Sequence, residues 1–567
     1  MSSNSVLRAL LSKGYFPKEL PPTFTTALFG DHAREIINAW EGAKLFERQQ
    51  KKKNQTRYKS KAYGYIVPKA EMENISIPKI GFERRSVGIT HPIPQSLLAS
   101  EISDNYRSVQ KWLTRQTYSM DEIRISPTNV RAIRGINFPL HRAKKSFIEA
   151  TSDWLVKTDI TRFYPSIYTH SLTWAAYGKE KVKSKLKAYE GSLADRIDIL
   201  VRACNRNQTI GIPVGPETSR IIAEVISSRI DEDLRLSFSD ITADSIDRLQ
   251  DDWFIGVNTL ERSEKILSQI IAAYREYSLD INGRKTSVTR VIQHSDDAWK
   301  AEIGGFLSHK MGALRGARLQ EFLGLTLRLQ TQYEQQAVAN YALAVLEGQR
   351  FRKQDVEHLE SFLLKTAIIS PASMSRISEI LINLDFDTGA VSKRRVGRRF
   401  IELARRSLEN GNTYEALWLL YTLRGLKISI SDKHLVDLCT TVRSSAIALT
   451  ILDMNSKGLL NCPLPTEKWL DQISEHSIHT DWTWLLAYEG MRRGWLPDND
   501  RLMTKPFFLE MNSRGIVFYD ERRNVKKRQE SVKIKRIIRR QSRFEVKNFM
   551  FAIREIDFDS DVDGLSY

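Results

Sequence analysis

Two adjacent carboxylates, Asp251 and Asp252, are the residues of this sequence best suited to chemistry. They stand between residues 245–250 and 253–257, two short runs able to pair as strands, so both acids fall at the tip of a hairpin. Taken alone, adjacent acids at a tip are commonly a polar turn. A third acid changes the weighing. Residues 154–159 read as a buried strand ending on Asp159, after which Thr-Arg-Phe163-Tyr164-Pro165 turns away. If that strand lies beside the hairpin, the three carboxylates converge, and such a set can hold two Mg²⁺ about 3.5–4 Å apart. Mg²⁺ favours a few carboxylates completed by water and phosphate oxygens.

Between the acids lies Gly211-Ile-Pro213-Val214-Gly215-Pro216, whose small residues and prolines permit close backbone approach. Thr218 or Ser219 is expected to cap a helix with Ile222, Ile226, Ile230 and Leu234 on its apolar side. A loop opening a helix can receive a nucleotide or a base pair. Residues 76–312 mix short strand-like runs with helices, the pattern of an α+β domain. From residue 313 to 567 the apolar spacing is helical, and two similar stretches around Trp418 and Trp484 suggest hairpins of a helical-repeat array. Residues 1–75 form a basic segment with Lys51-Lys52-Lys53, Arg57, Lys59 and Lys61 among Tyr58, Tyr63 and Tyr65. Interleaved cations and rings suit phosphates and bases, and equally a solvated surface. Residues 522–547 hold 12 Lys or Arg and precede an acidic tail.

Composition narrows the classes. The 567 residues are 41% apolar and 27% charged, values of an ordinary globular protein, and the length is a prior of three or four domains. No apolar run is long enough to span a membrane. Three scattered cysteines, Cys204, Cys439 and Cys462, supply neither a disulfide framework nor a zinc cage, which points to a reducing, cytoplasmic setting. A net charge of +18 favours a polyanionic partner.

The order of the parts (strand and Asp159, aromatic turn, Gly-Pro loop with its helix, then the Asp251-Asp252 hairpin) resembles the palm and fingers of reverse transcriptases. The resemblance implies that Asp159, Asp251 and Asp252 bind metal, with the Ile160 carbonyl as a further ligand. It implies that Tyr164 is the gate against a ribose 2′-OH, and that Pro213 and Gly215 face the nucleotide. Residues 279–286, Leu-Asp-Ile-Asn-Gly-Arg-Lys285-Thr, resemble the motif whose lysine protonates pyrophosphate. Residues 85–89, Arg85-Ser-Val-Gly-Ile, resemble the fingers motif whose arginine contacts triphosphate. Read as residues only, Lys285 is as well explained by a surface turn, Arg85 by an ion pair and Tyr164 by core packing. Two positions depart from the family. Leu249 stands where the hairpin tyrosine is usual, and Val214 where template-copying members often carry glutamine, so relaxed template reading is expected.

The palm passes directly into the long helical region, and with the Gly-Ile-Pro-Val-Gly-Pro wording this layout is similar to the abortive-infection reverse transcriptases of bacteria and prophages, the AbiK-like group. That likeness implies an α+β fingers and palm followed by an all-α, HEAT-like domain in place of the usual thumb. It implies an antiphage enzyme of the bacterial cytoplasm that polymerises dNTPs with Mg²⁺, or Mn²⁺ in its place. It further implies synthesis without template, a tyrosine primer, a single-stranded DNA product joined to it, and a homo-oligomer. Tyr15, Tyr58, Tyr63 and Tyr65 lie in the N-terminal region, and nothing in the sequence selects among the tyrosines. The other readings are a template-dependent enzyme of retron or intron type and an inert nucleic-acid-binding scaffold.

Overall fold

The computed structural model describes residues 2–50, 63–79, 81, 83–115, 118–126, 128–235, 237–293, 298–309 and 313–527, and beyond these 530, 533, 540, 543 and 545–547. The basic run at 51–61 with Tyr58, most of 528–547 and the acidic tail therefore lie outside the described residues.

The N-terminal part begins with helices Ser3–Ser12 and Ala33–Gly42, whose apolar sides bury Val6, Leu10, Ile36 and Trp40. Two antiparallel pairs follow: β1 (Glu47–Gln50) with β2 (Tyr63–Ile66), and β3 (Glu73–Pro78) with β4 (Arg84–Ile89). Helix Pro92–Asp104 is buried on nearly every side, as a helix at the centre of a molecule must be, and its first turn accommodates the two prolines that a helix interior would reject.

The four-stranded sheet consists of β5 (Trp154–Thr158), β6 (Ile246–Leu249), β7 (Asp252–Val257) and β8 (Ser287–Arg290), in the order β6-β7-β5-β8 with every pair antiparallel. Alternation along the strands puts Leu155, Lys157, Phe254 and Gly256 on one face. Helix Phe138–Ala150 covers that face through Ile148, so closely that a Cβ at Gly256 would lie 2.5 Å from the Ile148 Cγ2. The other face, with Val156, Trp253 and Ile255, packs under helix Leu260–Arg275, where the Trp253 indole donates to the Tyr274 hydroxyl at 3.0 Å.

The described residues between Ala298 and Asn512 are mainly helical, built of neighbours such as Lys393–Glu409 and Thr413–Gly425, whose connection turns at Gly411 with φ 68. The two similar stretches differ in form: Trp418 lies in the long hairpin Lys393–Gly425, whereas Trp484 lies in helix Thr483–Arg492 behind the four-residue helix Ser477–Thr480. This region folds back onto the first 91 residues. The Trp418 indole donates to the Glu19 carbonyl at 2.9 Å, the Trp40 indole to that of Phe507 at 3.3 Å, and the His91 ring nitrogen lies 3.0 Å from the Ile478 carbonyl. One apolar cluster runs from Val6 to Val525, and Ile148, Leu155 and Phe254 form a second, small one. Among the described residues no helix is long and apolar enough to cross a membrane.

Candidate active site

The register of β5 assembles the site. Thr158 is level with Trp253 of β7, and Lys157 with Ser287 of β8. One residue further on, Asp159 comes between Asp252 on one side and Lys285 on the other. The Thr158 and Thr286 hydroxyls meet at 2.8 Å, and the Lys285 ammonium pairs with the Asp159 carboxylate. The backbone holds the same alignment: Asn282 N–H donates to the Asp159 carbonyl at 2.6 Å, and Ile160, buried, bridges Ile281. Asp159 is buried and Lys285 exposed.

The hairpin brings the other two acids. Leu249 pairs with Asp252, leaving Gln250 and Asp251 as a two-residue turn in which Gln250 takes φ 57. A non-glycine residue in the left-handed region needs a fold that enforces it. Arg248 supplies that enforcement. Its fully buried guanidinium donates to the Gln250 carbonyl at 2.7 Å and pairs with Glu224 at 2.6 Å and Asp231 at 2.8 Å, both on helix Glu217–Leu234. One residue back in the same strand, Asp247 lies 2.8 Å from His141 Nδ1, while Asp121 lies 2.9 Å from Nε2. Burial alone would lower the His141 pKa, but hydrogen bonds to the two carboxylates and their charges carry it to about 9.

Close approach makes the acids costly to ionise. Burial and then the charges of Asp252 and Asp159 hold the Asp251 carboxyl well above the usual carboxylate range. Burial and Asp159 also raise Asp252, against the opposing charges of Lys285 and Lys145. Such a set fits a divalent cation, because positive charge is what would relieve it. Among the described residues no group of three or more His, Cys, Asp or Glu is placed to hold a metal ion by itself, so water and phosphate oxygens would have to supply much of the shell, the arrangement Mg²⁺ tolerates.

Tyr164 opens onto the same place. Arg162, at φ 46, turns the chain into helix Phe163–Ser166, where Phe163 is buried and Tyr164 half-buried, their rings 5.6 Å apart. Burial raises the Tyr164 phenol pKa. Of the charges acting on it Arg220 is the largest, followed by Asp251, Glu224 and Arg85. The Tyr164 carbonyl accepts from Ile212 N–H at 3.0 Å, which pins the aromatic turn to the Gly-Pro loop. That loop is backed by protein. Pro213 is buried, the Val214 carbonyl accepts from Gly88 N–H at 2.7 Å, and a Cβ at Gly215, where φ is 128, would lie 2.7 Å from Pro17 Cγ. The small residues are thus required by packing against Pro17 and β4. The helix begins at Glu217 with Pro216 at its cap, two residues before the expected Thr218 and three before Ser219. Thr218 instead accepts from the Gln95 amide at 3.0 Å, and Glu217 pairs with Arg131 at 2.9 Å.

The structure therefore gathers Asp159, Ile160, Asp251, Asp252, Lys285 and Tyr164 at one end of the sheet. Arg85, exposed on β4, acts on the Tyr164 phenol, while Pro213 and Gly215 form the wall behind. Sequence reasoning missed Arg248, Arg220 and His141. The signal for Arg248 was a cation next to the paired acids in a strand otherwise fit for burial.

Residues 98–327 match the family of reverse transcriptases, described as RNA-dependent DNA polymerases. That segment is a reverse transcriptase domain. The enzyme is a nucleotidyltransferase of the DNA polymerase kind, and its fold is an α+β reverse transcriptase domain followed by a helical C-terminal region. No curated protein matches the chain. Two solved structures are similar to it. Apo telomerase from Candida tropicalis is 11% identical, covers 82% of this chain and 73% of its own, and gives a TM-score of 0.28. Telomerase from Candida albicans in complex with the TWJ fragment of telomeric RNA is 13% identical, covers 78% and 68%, and gives 0.25.

Proposed function

We propose that this reverse transcriptase is an AbiK-like antiphage enzyme of the bacterial cytoplasm, which polymerises dNTPs without a template from a tyrosine of its own chain. The reading divides the chain into a basic segment at 1–75 belonging to the fingers, fingers and palm at 76–312, and a helical-repeat domain at 313–567 in place of a thumb. The product would be single-stranded DNA attached to the protein, and the enzyme a homo-oligomer.

The observation that carries the chemistry is the convergence of Asp159, Asp251 and Asp252 beside Lys285 at the end of β5 and the β6–β7 turn. Asp159 and Asp251 would hold Mg²⁺ or Mn²⁺, with Asp252 and the Ile160 carbonyl assisting. Bound there, the metal would lower the pKa of the attacking hydroxyl and offset charge on the leaving group. The chain's own residues do the rest. Burial works against the Lys285 charge, but Asp159 and the other acids keep its pKa raised, so at neutral pH it has a proton to give to pyrophosphate. Tyr164 presents a ring where a ribose 2′-OH would have to fit, and Arg85 offers a cation to the triphosphate.

Relaxed template reading is supported by Leu249 and Val214, which give the primer end and the template pair no polar side chain. Among the N-terminal tyrosines, the Tyr15 hydroxyl is buried and donates to the Thr90 carbonyl at 2.5 Å, while Tyr63 and Tyr65 both donate to Glu101. Tyr15 would have to break a buried hydrogen bond and Tyr63 and Tyr65 half-buried ones to act as nucleophile, which speaks for a tyrosine elsewhere.

Purified chain given Mg²⁺ and labelled dNTPs, with and without a template-primer, tests the reading on a denaturing gel before and after protease. Label that grows without template and shifts on proteolysis is expected. Label that requires the template would replace the proposal with a copying enzyme.

A further inference from the structure

Several arginines around the site are paired with acids, whereas Arg220 and the exposed Arg85 have no such pairing among the described residues. Arg248 pairs with Glu224 and Asp231, Arg131 with Glu217, Arg229 with Glu232 and Asp233, and Arg134 with Glu545. Arg220, on the first turn of helix Glu217–Leu234, has no acidic partner among the described residues. Its Nη1 donates to the Arg134 carbonyl at 2.9 Å, which fixes the guanidinium plane without balancing its charge. Its Nε is buried and makes no hydrogen bond. A partly desolvated guanidinium with an unused donor is expensive, and a fold gains nothing from keeping it unless something else brings the counter-charge.

Position says what that counter-charge is. Arg220 stands one turn before Glu224 on the same helix, and Glu224 holds Arg248, which donates to the Gln250 carbonyl beside Asp251. The charges of Arg220, Asp251 and Arg85 all act on the Tyr164 phenol. Carboxylates and two guanidinium groups therefore act on the same phenol. A nucleotide that presents its α-phosphate to the acids would extend its remaining phosphates, anionic and rich in acceptor oxygens, toward the arginines. The planar fork of arginine suits such oxygens.

We propose that Arg220 binds the triphosphate of the incoming nucleotide, with Arg85 as the second cation. This rests on the polymerase reading and adds a residue of the palm helix to it. The test is equilibrium binding of a dNTP and of inorganic tripolyphosphate to the full chain, with melting temperature measured alongside, for the wild type, Arg220→Gln and Arg220→Lys. The expected result is that Arg220→Gln weakens both ligands about ten- to a hundredfold. Arg220→Lys should recover part of that loss, and neither variant should melt markedly lower, since no ion pair is broken and only the hydrogen bond to the Arg134 carbonyl is lost.

Wild-type affinity in Arg220→Gln would overturn the assignment while leaving the polymerase reading in place. So would a marked fall in melting temperature that Arg220→Lys restores without restoring binding, because the arginine would then be structural. A wild-type chain that binds neither ligand would overturn the polymerase reading and this assignment together.

Discussion

Asp251 is a carboxylate that the folded chain holds at a cost. Its pKa is raised by burial and by Asp252 and Asp159, so its contribution to stability is fully present below the unfolded carboxylate value, near 4, and is lost as pH rises through the folded one. Asp251→Asn removes that penalty, and thermal denaturation at neutral pH should show a higher melting temperature than wild type, with the difference vanishing in acid. His141 has the opposite character. Its charged form is favoured by Asp121 and Asp247, so its stabilisation is complete below pH about 6.5 and fades as pH passes about 9. Denaturant titrations of His141→Asn should show a loss of about 3 kcal/mol near pH 6 and a much smaller loss above pH 9. Arg248→Met leaves Glu224 and Asp231 buried without their cation and frees the Gln250 carbonyl; about 3–5 kcal/mol of destabilisation is expected by the same titration. The three acids were legible in the sequence because strand endings and hairpin tips are short-range patterns. Arg248 and Arg220 were not, since their meaning lies in partners or a lack of them far along the chain.

At the scale of elements, the Gly-Pro loop and the β3–β4 hairpin decide what backs the site. Gly215 sits at φ 128 under Pro17, so Gly215→Ala meets both a conformational penalty and a clash. A loss of about 1–3 kcal/mol, read by thermal or denaturant unfolding, is expected. The sequence showed that small residues were needed there but not for what, because Pro17 is two hundred positions away and its approach is a tertiary fact. The hairpin that carries Arg85 is tied to the helical region. Arg84 makes two bonds to Glu415, at 2.9 and 2.7 Å, and Ser76 N–H donates to Thr413 Oγ1 at 2.9 Å. Buried Glu73 accepts from Ser445 and Ala446 N–H at 2.9 and 3.2 Å, at the start of helix Ser445–Ser456, where the helix dipole favours a carboxylate. Helical periodicity announced those helices. It contained no sign that they would grip a strand pair more than three hundred residues earlier.

At the scale of the molecule, the helical region and the first 91 residues stabilise one another. Trp418 reaches Glu19, Phe507 receives Trp40, and Phe24 bridges Tyr519. A chain ended after residue 312 would expose the apolar surfaces of those contacts and should fail to give a cooperative melting transition; a fragment that melts cooperatively near the full chain's temperature would show the parts to be independent. The order of motifs along the sequence conveyed the α+β domain and the helical region after it, but not this closure, which depends on packing between distant ends. The most direct test of the acids' role is incorporation of labelled dNTPs by the purified chain with Mg²⁺, comparing wild type with the Asp251→Asn, Asp252→Asn double variant and confirming by thermal melting that the variant is folded. Loss of incorporation from a variant that melts at or above the wild-type temperature is predicted. Incorporation retained by that folded variant would contradict the placement of catalysis at the β6–β7 turn.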